Sequence, residues 1–137
     1  MRFAKVGDFD EVRHARGPHR HYIGIAWAKH RGPITLEVQA LTRDELPYEH
    51  DTTRRDREVV EEVLRGVKFG NLLGGTRFKV AKIRYRMTDA VVPLHYEVLT
   101  ECLVTHLVKQ REEAARAKAA KAGANPGETR GRSNGNR

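Results

Sequence analysis

Between Arg13 and Leu36 the chain carries no acidic residue, while Arg13, Arg16, Arg20, Lys29 and Arg31 are interspersed with His14, His19, His21 and His30. Cations gathered without compensating carboxylates suit phosphate, which needs positive charge and hydrogen-bond donors rather than a strict motif. An aromatic ring among them, Tyr22 or Trp27, could stack on a base. Trp27 falls in phase with Ile23 and Ile25, which assigns it to a core instead. A second set, Lys82, Arg84 and Arg86, alternates with Ala81, Ile83, Tyr85 and Met87, so a strand here presents its three cations on one face. The expected RNA contacts are therefore Arg13, Arg16, Arg20, Lys29, His30, Arg31, Lys82, Arg84 and Arg86.

Other chemistry is poorly served. His14, His19 and His21 lack cysteine or carboxylate partners at zinc spacing and read as chance neighbours in a basic segment, so no metal is expected. Cys102 lies on an apolar helical stripe and reads as a small core residue. Glu61 and Glu62 read as helix-start carboxylates favoured by the macrodipole. Gly70-Asn71-Leu72-Leu73-Gly74-Gly75 lacks the Lys-Ser/Thr that closes a P-loop and follows a helix rather than preceding one, so it reads as a helix stop. No nucleophile–base pair stands out, and the chain is read as a binding protein, not an enzyme, with no cofactor.

The elements that must position these cations follow from periodicity. Tyr22–Ala28 and Ile34–Leu41 read as two strands around the turn Lys29-His30-Arg31-Gly32-Pro33, that is, a hairpin with a basic tip. Thr53 and Asp56 resemble a capping box, followed by Val60, Val63, Leu64 and Val67 at helical spacing. Arg77–Met87 reads as a strand, and a second helix starts near Leu94 or His95 with Val98, Leu99, Cys102, Leu103, His106 and Leu107 as its stripe. The order strand, strand, helix, strand, helix predicts an α+β fold, a small sheet with two helices on one face. Residues 1–20 read as a basic N-terminal arm, 21–109 as the folded domain, 110–124 as a solvated helical extension rich in Ala, Lys, Arg and Glu, and 125–137 as a disordered basic tail.

Composition agrees. The 137 residues suit one domain, with 39% hydrophobic and 32% charged residues. Lys plus Arg number 26 against 18 Asp plus Glu, a net charge of +8 that favours a polyanionic partner. One cysteine excludes an internal disulfide. The first residues have no signal-peptide core and no apolar run is of membrane-spanning length, so a cytoplasmic protein without a membrane partner is expected.

From Ile34-Thr35-Leu36-Glu37-Val38-Gln39-Ala40-Leu41 to about Lys109, the chain resembles domain IV of elongation factor G and of the tetracycline-resistance ribosomal protection proteins. Three pieces carry the likeness: that strand; Val63-Leu64-Arg65-Gly66-Val67-Lys68-Phe69-Gly70 running on to Gly74-Gly75; and Phe78-Lys79-Val80-Ala81-Lys82-Ile83-Arg84-Tyr85 leading into a long helix. The resemblance implies a ribosomal protein S5 domain 2-like fold with a left-handed βαβ crossover. It also implies a domain that enters the ribosomal decoding site through two tip loops. By position these are Lys29-His30-Arg31-Gly32 and Thr88-Asp89-Ala90-Val91-Val92. The second departs from the family pattern, being apolar and lacking its His and Gly. No GTPase domain is present in the chain. The implied partner is the ribosome or ribosomal RNA. The alternatives are a protein-interaction subunit of a split translation factor and an RNA-processing protein on a related fold, such as the ribonuclease P protein subunit, whose Arg-Asn-Arg helix is missing here.

Overall fold

A computed structural model describes residues Met1–Ala124; the expected tail, residues 125–137, lies outside the described residues. The chain forms β1 (Arg2–Val6), β2 (Phe9–Arg16), β3 (His19–Trp27), β4 (Glu37–Leu41), α1 (Thr53–Gly74), β5 (Val80–Arg86) and α2 (His95–Ala124). It is an α+β protein with one five-stranded mixed sheet in the order β1-β2-β3-β5-β4. Strands β1 to β3 make an antiparallel meander, β5 pairs antiparallel with β3, and β4 pairs parallel with β5 through the α1 connection.

Two expectations are corrected. Residues 1–20 are not an arm. Two-residue turns, Gly7-Asp8 and Gly17-Pro18, each place a glycine with φ near +60° at the first position and close the strands into hairpins. β3 and β4 are likewise not a hairpin, because β5 lies between them. Lys29, His30 and Arg31 therefore sit on a connection that passes the start of β5, held by Ala28 N–H to Lys79 O at 2.7 Å and Lys79 Nζ to Gly32 O at 2.5 Å.

One sheet face is covered. Val12, Ile23, Ile25, Ile83 and Tyr85 share it by register and are buried. Tyr85 meets both helices there: its hydroxyl donates to Asp56 of α1 at 2.6 Å, and its ring lies edge-on to Tyr96 of α2. α1 faces inward with Val59, Val63, Gly66, Val67 and Gly70. Leu64, expected inside, is exposed, as is Val98 of α2. The rotation has a steric cause. A Cβ on Gly66 would meet Glu97 O at 2.5 Å, and one on Gly70 would meet Val104 Cβ at 2.6 Å, so the helices touch where α1 has no side chain. Gly70 is thus a packing residue, and the helix ends instead at the left-handed Gly75.

The helix starts also differ from expectation. Thr52 is the N-cap of α1, and Asp51 accepts from the Thr53 N–H at 3.0 Å and from its hydroxyl at 2.7 Å. Glu62 lies in the middle of α1 and accepts the Tyr96 N–H of α2 at 3.0 Å, so this carboxylate serves the other helix's N-terminus. The last part of α2 is a unit of its own, His106 onward, and is exposed at each residue from Lys109 to Gly123. No helix among the described residues is long and apolar enough to cross a membrane.

Candidate nucleic-acid interface

The other sheet face is the one opposite Tyr85, through which α1 and the start of α2 meet the sheet. Register places Phe9, Glu11 and Arg13 of β2, Arg20, Tyr22 and Gly24 of β3, Lys82, Arg84 and Arg86 of β5, and Glu37 and Gln39 of β4 on it. Five of the nine expected contacts, Arg13, Arg20, Lys82, Arg84 and Arg86, are therefore brought together on one surface. The strands lie about 4.8 Å apart, so these cations form a field rather than isolated charges.

Gly24 organises its centre. It stands between Glu11 and Arg84 in register, and Tyr22 fills the space that a side chain there would take, its hydroxyl 2.6 Å from where a Cβ would be. The Tyr22 hydroxyl donates to the buried Glu11 carboxylate, which also lies 3.6 Å from Arg84 Nη2. Burial, then the Glu11 bond, push the Tyr22 hydroxyl well above the ordinary phenol range, so it remains a donor. Guanidinium groups roof the ring: Arg13 lies 4.5 Å and Arg86 5.7 Å from its centroid. Arg84 covers Phe9 at 3.6 Å.

Two loop carboxylates hold this array. Glu45 accepts from Arg13 at 2.6 Å and 3.1 Å and lies 3.9 Å from Arg86. The Arg13 hydrogen bond is the main cause that holds the Glu45 carboxyl below its usual range and raises the guanidinium above its own. Glu45 reaches this place with φ of 64°, in a turn closed by Glu45 N–H to Thr42 O at 2.9 Å. Asp89 is buried and accepts the Tyr22 N–H at 2.8 Å and the Tyr96 hydroxyl at 2.6 Å, with Arg86 Nε 3.2 Å away. Arg13, Arg84 and Arg86 are thus positioned and partly neutralised. Lys82 and Arg20 are exposed and, among the described residues, make no side-chain hydrogen bond or ion pair.

The remaining expected residues lie elsewhere. Arg16 is exposed at the β2–β3 turn. Lys29, His30 and Arg31 are exposed beyond the end of β3, with Lys29 3.4 Å from Asp8. Since β3 and β5 are antiparallel, this loop and Thr88–Val92 lie at opposite ends of β5 and do not form one shared tip. Trp27 is half-buried, donates to Asp10 at 2.8 Å and packs on Phe78.

His14 and His21 pair in register on the helix-bearing face and meet His95 at the start of α2; His19 stands apart. His14 Nδ1 and His95 Nε2 are 3.5 Å apart, and His21 Nε2 bonds Ala90 O at 2.9 Å. Desolvation, then the two neighbouring imidazoles, lower the His95 pKa to about 4. No group of three or more His, Cys, Asp or Glu among the described residues could hold a metal ion. Cys102 is half-buried and its thiol is pushed up by desolvation, which keeps it protonated.

Sequence reasoning missed Phe9, Glu11, Glu37, Gln39, Glu45 and Asp89. The signal for the first two was present: Phe9, Glu11 and Arg13 repeat at period two between the glycine turns. Glu45 and Asp89 act from loops, where no periodicity marks them. Compared with protein-family models, with curated proteins and with solved structures, the chain has no match.

Proposed function

We propose that the protein binds RNA across the open sheet face, with ribosomal RNA as the partner, and that it acts by binding rather than catalysis. The observation that carries this reading is the alignment of Arg13, Arg20, Lys82, Arg84 and Arg86 on the sheet face opposite the one that Tyr85 turns to the helices. Phe9 and the fully buried Tyr22 support the guanidinium planes of Arg84 and Arg13 from beneath, so the guanidinium groups themselves are the surface offered for base stacking and phosphate contact. The ribosome enters through the resemblance to domain IV of elongation factor G. The finer fold assignment, ribosomal protein S5 domain 2-like with a left-handed crossover, belongs to the same proposal. It is supported by the parallel β4–β5 pair joined through α1 and by two helices on one face.

The test is binding to ribosomal subunits and to single-stranded RNA at rising salt. Affinity is expected to drop at least about tenfold between roughly 50 and 200 mM salt. A protein that stays unbound at the lower salt refutes the reading. A second reading, a subunit that docks on another protein, is favoured by Leu64, Phe69, Leu72 and Leu73, which are exposed along the second half of α1. Recovery of a stoichiometric protein partner whose binding is lost on Leu72→Ser would support it.

A further inference from the structure

The edge strand β4 brings polar groups of a different kind to the same face. Glu37 and Gln39 are exposed, two residues apart, beside Lys82 and Arg84 of β5 in the parallel register. Together with Phe9 they line a groove on the sheet. Among the described residues Glu37, Gln39 and Lys82 make no side-chain hydrogen bond or ion pair. A carboxylate, an amide and an ammonium thus stand unspent around a flat guanidinium, that of Arg84, which rests on the Phe9 ring at 3.6 Å and whose Nε has no hydrogen-bond partner.

We propose that this groove seats one unpaired guanine of a single-stranded RNA. The proposal rests on the RNA-binding reading and specifies what that site recognises. Arg84 is planar and 27% exposed, so its outer side offers a stacking surface for a base. Glu37 supplies two acceptor oxygens, and guanine alone among the four bases presents two adjacent donors, N1–H and N2–H, on its Watson–Crick edge. Gln39 and Lys82 supply donors for the neighbouring O6. Uracil turns a single donor between two acceptors toward the carboxylate and leaves it half satisfied. In a duplex the same edge is already paired, so the groove selects a single strand.

The experiment is fluorescence anisotropy with short uridine-rich oligoribonucleotides that carry guanosine, inosine or an abasic site at one central position, at one fixed salt concentration. Inosine lacks only the N2 amino group. The guanosine oligonucleotide is expected to bind about tenfold tighter than the inosine one, the loss expected when one good two-point contact is broken. Glu37→Gln raises the net charge and so tightens the inosine and abasic oligonucleotides, while the guanosine one also loses its contact, so that the guanosine-to-inosine ratio falls to near one. Lys82→Ala weakens all three and leaves part of the ratio. Circular dichroism establishes that the variants are folded. Equal binding of guanosine and inosine by the unaltered protein overturns the proposal, as does a ratio that survives Glu37→Gln. Equal binding of all three oligonucleotides leaves the RNA-binding reading standing and removes the base seat, whereas no binding of any of them at low salt removes both.

Discussion

Glu45 illustrates how one residue can restrain an interface. Its backbone is in the left-handed region, where a non-glycine residue costs on the order of 1 kcal/mol or more, and its carboxylate neutralises Arg13. Glu45→Gly relieves that conformation and removes a half-exposed ion pair, so the two effects on stability oppose each other and the net change is expected within about 1 kcal/mol. Arg13 is then available to phosphate, and RNA affinity at low salt should rise severalfold; unchanged or weaker binding would show that Arg13 does not face the ligand. His95 gives a pH dependence. Its pKa is about 4 in the folded chain, below its ordinary value near 6.5, because the site is desolvated and His21 and His14 lie alongside. The unfolded chain therefore binds more protons between these values, and stability falls as pH drops from about 6.5 toward 4. His95→Gln removes this contribution. The melting temperature of the variant should change less between about pH 7 and pH 5 than that of the unaltered chain, and parallel curves would exclude His95 as the cause.

At the scale of elements, the α1–α2 contact depends on two glycines, and substitution there should separate the helices. Gly70→Ala places a methyl group against Val104, and the overpacking is expected to cost about 1–3 kcal/mol in urea denaturation. Val104→Ala in the same chain removes the two methyls, 2.7 and 3.2 Å from the added carbon, but keeps the Cβ at 2.6 Å, so the double variant should recover part of the loss and be more stable than the sum of the two single losses predicts. Strict additivity would mean that the helices do not meet at this point. The contact explains why part of the fold was hard to read. Val63 and Val67 are legible because buried apolar side chains repeat at helical spacing, but Gly66 and Gly70 contribute by having none, and a hydropathy pattern turns toward Leu64 instead. Strand β5 was legible because its cations alternate with a buried face, and so was the β4–α1–β5 order. Strand β2 was missed despite the alternation of Phe9, Glu11 and Arg13, since Asp10 and Glu11 are charged yet buried, each held by a distant partner, Trp27 and Tyr22. That pairing exists only once β3 lies beside β2. The hairpin expected around Lys29–Arg31 failed for a related reason: a turn between two strands does not reveal that a later strand will enter between them.

At the scale of the whole molecule, the net charge of +8 attracts a polyanion wherever the cations stand, and only their arrangement separates a binding surface from general attraction. Three pairs of equal formal charge decide this. Arg20 and Lys82 lie on the open sheet face, Lys29 and Arg31 on the loop after β3, and Lys118 and Lys121 on the exposed end of α2. Each pair is exposed, so replacement by Ala should leave the fold intact, and thermal melts would verify it. If phosphates run across the sheet, losing Arg20 and Lys82 removes two counterion-releasing contacts and lowers the slope of log affinity against log salt by about 1.4 for a single strand. The helix pair belongs to a unit of its own and not to the sheet face, so if the face carries the phosphate contacts its loss should leave that slope nearly unchanged. The loop pair divides the two earlier expectations: a slope change equal to that of the face pair extends the interface past the end of β3, whereas the value of the helix pair confines it to the sheet. Were all three pairs to change the slope alike, binding would be a property of total charge, and the open face would have no special part in it.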